Sequence, residues 1–167
     1  MKYPAGARRR CNGEAGAAVV EFSFVAILLF FLLFGIITFG LILSFKQNMT
    51  HAAEEGARAG AVAYCDADPA TCAANRWSAA DAATRASVGA FDRTCAADTD
   101  GLECTVRTHD CGADPALPPA DPSVPDCITV ELAYDYAGHP LVAPMPGLGI
   151  VTPERIVQSA TSQVTDS

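Results

Sequence analysis

Glu21 stands at the head of a long apolar run, in the stretch Gly16-Ala-Ala-Val-Val-Glu-Phe22. An unpaired carboxylate is costly there, so the residue asks for a partner or a job. Ala17 and Glu21 are four residues apart, which on a helix places them one turn from each other on the same face. If the bond after Gly16 were cut, the new Ala17 amine and the Glu21 carboxylate would form an opposite-charge pair, within one chain or between adjacent helices. Such a pair would make the burial tolerable and set the axial stagger of neighbouring helices. The plainer alternative keeps Glu21 as an interfacial charge that snorkels towards headgroups and favours the positive end of a helix dipole.

Seven cysteines are the next group able to do chemistry. Cys11 lies apart, and Cys65, Cys72, Cys95, Cys104, Cys111 and Cys127 form an even set. An even set in an oxidising compartment reads as a disulfide framework, with fifteen possible connectivities for six cysteines. The two seven-residue steps, Cys65 to Cys72 and Cys104 to Cys111, suggest local loops. His109-Asp110-Cys111 brings three reactive types together, but sequence neighbours point different ways and Cys111 is expected to be oxidised. No Gly-x-Ser-x-Gly, His-Glu-x-x-His or phosphate loop is present, and no Cys or His spacing suits zinc. Asp98 to Glu103 hints at a calcium loop without its regular ligand spacing. His51 and His139 are isolated and read as surface residues. No catalytic role, metal or cofactor is expected.

These residues are positioned by one dominant element. Phe22 to Phe45 is an apolar run without a formal charge, and seven of the eight phenylalanines lie in it. At about 1.5 Å per residue it covers roughly 36 Å, enough to cross a ~30 Å hydrocarbon core with some tilt. It is too long for the apolar region of a signal peptide. Lys2 and Arg8 to Arg10 flank its N-terminal end, so the positive-inside rule puts the N-terminus in the cytoplasm and residues 46–167 outside. The lipid bilayer is therefore a partner. The net charge of −8 combines +3 over residues 1–16 with −11 from Ala17 onward, and so acidic an outer part excludes ordinary nucleic-acid binding. The expected organisation is a basic cytoplasmic leader (1–16), a transmembrane helix (17–45), a helical extension (46–64) and a Cys- and Pro-rich outer domain (65–167).

Along the extension, Met49, Ala53, Ala57, Gly60 and Tyr64 recur at three and four residues, and Gly56 and Gly60 have small-xxx-small spacing. That narrow face suits packing between subunits or against the chain's own outer domain. "CDADP" reads as the end of this helix, and Asn75 to Phe91 as a second one. Residues 102–108, 126–136 and 154–164 have strand alternation. "DPALPPADPSVPD" and "GHPLVAPMPGLG" read as loops, the second with Leu141, Val142, Met145 and Leu148 able to face a partner. The fold class is α+β: a long N-terminal transmembrane helix continuing outward, then a small disulfide-stabilised antiparallel sheet.

A basic leader ending in glycine, a glutamate five residues later followed by Phe, and then an apolar helix resembles the type IV pilin and pseudopilin class. More closely, "GAAVVEFSFVAILLFFLLFGIITFG" followed by "HAAEEGARAGA" is similar to the TadE-like family of minor pilins from the Tad (Flp-type) pilus machinery. The resemblance covers roughly residues 13–64, with Glu54 standing where the family often has Arg. It implies a pilin-like architecture and cleavage between Gly16 and Ala17 by an aspartic prepilin peptidase, with Glu21 and Phe22 the recognised pair. It also implies partners: other pilin or pseudopilin subunits and the inner-membrane Tad assembly platform. Assembly would rest on Glu21, with Gly56 and Gly60 as packing positions. The competing expectation is an uncleaved, single-pass anchor carrying an outer domain that binds a ligand or secreted partner.

Overall fold

The computed structural model describes residues 14–65, 68–89, 92–120, 125–142 and 153–164. The basic cluster and Cys11 of the leader, Phe91, and Met145 and Leu148 of the second loop lie outside them. The chain divides into two compact units, Met1–Thr38 and Phe39–Ser167. In the first unit the described residues belong to α1 (Glu14–Ala61), whose apolar side chains there are largely exposed, Phe22 and Phe24 among them. A helix apolar on all sides is a helix made for lipid. The span from Gly16 is long and apolar enough to cross a membrane, which is compatible with a single-pass anchor.

The second unit is built around the rest of α1. Leu102–Asp110 (β1), Asp126–Asp135 (β2) and Arg155–Gln163 (β3) form an antiparallel sheet in the order β1-β2-β3. Register places Leu102, Tyr134 and Ile156 in one row, then Cys104, Leu132 and Gln158, then Val106, Val130 and Ala160. Because side chains alternate along a strand, these rows share one face. On the central strand that face carries Ile128, Val130, Leu132 and Tyr134, all with no solvent exposure. Ile42, Phe45, Met49, Ala53 and Ala57 of α1 join them in one core, with Ala80 and Val88. Phe45 meets Tyr134 edge-on at 4.6 Å between ring centroids. The fold class is α+β as expected.

α2 spans Pro69–Ser87, six residues ahead of the expected Asn75 start. Asp68 caps it: its carboxylate accepts from the Thr71 amide at 3.3 Å and the Thr71 hydroxyl at 2.6 Å, and Pro69 occupies the first turn. α1 itself ends at Ala61, ahead of the expected "CDADP" stop, so Asp68-Pro69 acts as the start signal of α2. The Thr71 hydroxyl first, then the Thr71 and Ala70 amides, hold the Asp68 carboxyl below the usual carboxylate range. A single helical turn, α3 (Ala97–Asp100), not foreseen from the sequence, ends at Gly101 with φ +70°, a conformation that favours glycine.

Three disulfides close this unit: Cys65–Cys72, Cys95–Cys104 and Cys111–Cys127. The first is the expected local loop. The expected Cys104–Cys111 loop is not formed. Cys104 lies within β1 and Cys111 follows its end, so at about 3.4 Å per residue they stand roughly 24 Å apart, far beyond disulfide reach.

Candidate processing and assembly site

Gly16 and Ala17 lie in the first turn of α1 rather than ahead of it, and both are exposed. The first four amides of a helix have no intrahelical carbonyl to bond, so this turn is the part of α1 most easily opened to a protease. Nothing lies within 4 Å of where a Gly16 Cβ would be. Glu21 is exposed one turn further on, between the exposed side chains of Val20 and Phe22. The one hydroxyl of this segment, Ser23 Oγ, donates to the Val19 carbonyl at 2.8 Å, which leaves the carboxylate as its outward polar group. The described geometry therefore offers an unhindered glycine at this bond and, from Gly16 to Phe45, one acidic residue on an apolar rod.

Gly56 and Gly60 occupy a different environment. A Cβ at Gly56 would stand 2.0 Å from Thr84 Oγ1 and 3.2 Å from the Ala80 carbonyl oxygen. At Gly60 it would stand 2.4 Å from Ile128 Cδ1 and 3.0 Å from Ala80 Cβ. Of the two uses weighed for this face, the structure displays packing on the chain's own α2 and sheet. Thr84, missed in the sequence, completes the contact by donating its hydroxyl to Ala80 at 2.7 Å.

The remaining reactive groups are accounted for structurally. His109 is 3% exposed; its Nδ1 donates to the Asp110 carbonyl at 2.9 Å, so its Nε2 accepts from Thr129 Oγ1 at 2.8 Å when the ring is neutral. Thr129 and Thr161 hydroxyls meet at 2.6 Å, extending this polar row across all three strands. Cys111 is in a disulfide and offers no thiol. The Asp98 to Glu103 stretch divides between α3 and β1, and Asp100 accepts from the Thr94 amide and hydroxyl. The Thr94 hydroxyl is the main cause holding the Asp100 carboxyl below its ordinary range. Among the described residues no three His, Cys, Asp or Glu side chains are grouped to hold a metal. His51 lies 4.0 Å from Glu54 on an exposed helix face, whereas His139 lies over Gly101 in the turn after β2.

Exposed Glu21 on the apolar rod and the Ala52-to-Arg58 turn of helix are the features that comparison with known families tests. Residues 16–58 match the family described as TadE-like protein. The match begins at Gly16, takes in Glu21, Phe22 and Gly56, and ends at Arg58. The matched segment is 43 of the chain's 167 residues. α2, the sheet and all three disulfides lie beyond the matched residues. No curated protein and no solved structure matches the chain.

Proposed function

We propose that this protein is a minor pilin or pseudopilin-like subunit of a Tad-type (type IVc) pilus. A prepilin peptidase removes residues 1–16 on the cytoplasmic face. The Ala17 amine so created and the Glu21 carboxylate then guide insertion beside other pilin subunits at the inner-membrane assembly platform. The observation that carries this reading is Glu21: an exposed carboxylate one turn from Ala17, on an all-round apolar helix, inside the TadE-like match. A lone anion in hydrocarbon costs a few kcal/mol, and a neighbouring cation offsets that cost. Gly56 and Gly60 contribute by seating α2 and the sheet, the head of the molecule, closely on α1, which gives every subunit the same outer surface.

The test is the mature N-terminus, read by intact mass and terminal sequencing from cells with and without a prepilin peptidase. A peptidase-dependent start at Ala17 is expected. Glu21→Ala should leave cleavage intact and remove the subunit from sheared pilus fractions. A start at Met1 in both strains would instead favour an uncleaved anchor bearing an outer binding domain.

A further inference from the structure

Three contacts align the head against α1. Phe45 packs on Tyr134, Thr50 Oγ1 bonds Gln158 Oε1 at 3.0 Å in the row of Leu132, and Gly60 abuts Ile128. As α1 runs from Phe45 to Gly60, β2 is met in reverse, from Tyr134 to Ile128. The turn that follows β2, Tyr136 to Pro140, therefore lies past Phe45 on the side of Phe39. On those same turns of α1 only one stripe is covered. Ile42 and Phe45 are 7% and 1% exposed, whereas Phe39, Leu41 and Leu43 are 42%, 38% and 58% exposed. A helix surface of Phe and Leu at that height matches hydrocarbon, and its first charged successor is Lys46.

We infer that the turn following β2, Ala137 to Pro140, rests in the headgroup layer of the bilayer, beside the last lipid-facing turns of α1. This rests on the membrane-anchored reading above and adds to it a second, shallower membrane contact. The turn is held for that position: Ala137 donates its amide to Glu154 at 3.1 Å, Gly138 to Asp135 Oδ1 at 3.1 Å, and the Tyr134 hydroxyl donates to the His139 carbonyl. Charges around it are mixed, with Arg93 and Arg155 against Asp100, Glu103, Asp135 and Glu154, and Ala137, Gly138 and Pro140 are exposed. Mixed charge suits zwitterionic phospholipid and does not call for an anionic surface.

The full chain, with Trp77→Phe to remove its only tryptophan, tests this in phosphatidylcholine vesicles containing lipid brominated near the headgroup or deeper in the chains. Single tryptophans are placed by Ala137→Trp, by Pro140→Trp as a second probe of the turn, by Leu117→Trp at the opposite end of the sheet, and by Leu28→Trp within the span. Headgroup-brominated lipid should quench both turn probes several-fold more than Leu117→Trp, and the deeper bromine should quench Leu28→Trp. Equal, weak quenching of the turn probes and Leu117→Trp, with Leu28→Trp quenched, overturns the second contact and leaves the anchor standing. An unquenched Leu28→Trp overturns both.

Discussion

At position 56 a methyl group would stand 2.0 Å from Thr84 Oγ1, so α1 and α2 touch there through bare backbone. Gly56→Ala gains the better helix former but must displace a hydroxyl already bonded to Ala80, with the Ala80 carbonyl at 3.2 Å blocking the other side. Overpacking of this kind costs about 1–3 kcal/mol. Urea denaturation of the detergent-solubilised chain should show that loss for Gly56→Ala. Gly40→Ala, where nothing lies within 4 Å, should be neutral or slightly stabilising. Because the clash has one principal owner, Thr84→Ala should recover part of the loss, making the two substitutions non-additive. Additive losses would mean that α1 and α2 do not meet here. The glycine spacing announces a close approach in the sequence, but two uses fit it equally, and only the position of α2 distinguishes them.

The elements were legible to different degrees, for physical reasons. The apolar span and the three strands stand out because composition and alternation report them directly; β2, with its unbroken Ile128-to-Tyr134 face, is the clearest case. The start of α2 is hidden in the sequence because Asp68-Pro69 reads as a helix breaker, whereas α1 has already ended at Ala61 and this pair caps and opens α2. Disulfide pairing was half legible. Cys65 follows the end of α1 and Cys72 lies near the start of α2, so proximity in sequence decides, whereas β1 carries Cys104 away from Cys111 and back towards Cys95. Separations of 7, 9 and 16 residues order the bridges by the chain freedom they remove. Loop-closure entropy then gives about 2.4, 2.6 and 3.1 kcal/mol for Cys65–Cys72, Cys95–Cys104 and Cys111–Cys127. Paired Cys→Ala variants should lower urea midpoints in that order, Cys111→Ala with Cys127→Ala the most. The reverse order would show that native contacts around each bridge outweigh its loop length.

On the scale of the whole molecule, two units depend on two solvents. The residues of α1 before Phe39 have few buried side chains, so their helicity depends on an apolar surrounding rather than on a packed core. The Phe39–Ser167 unit has a core of modest aliphatic and aromatic content and relies on three disulfides to limit its unfolded state. The TadE-like match crosses this division: it covers residues 16–58, all on α1, and none of the sheet. Unfolding in detergent should accordingly be non-coincident. Near-UV dichroism, which reports Trp77 and the buried Tyr134 and Tyr136, should vanish in one transition on heating. Far-UV helical signal should persist beyond it, carried by the detergent-bound turns of α1. A reductant should move the near-UV transition to lower temperature and leave that residual helix unchanged. A single transition seen by both signals, moved as a whole by reductant, would mean that the helix depends on the head for its order.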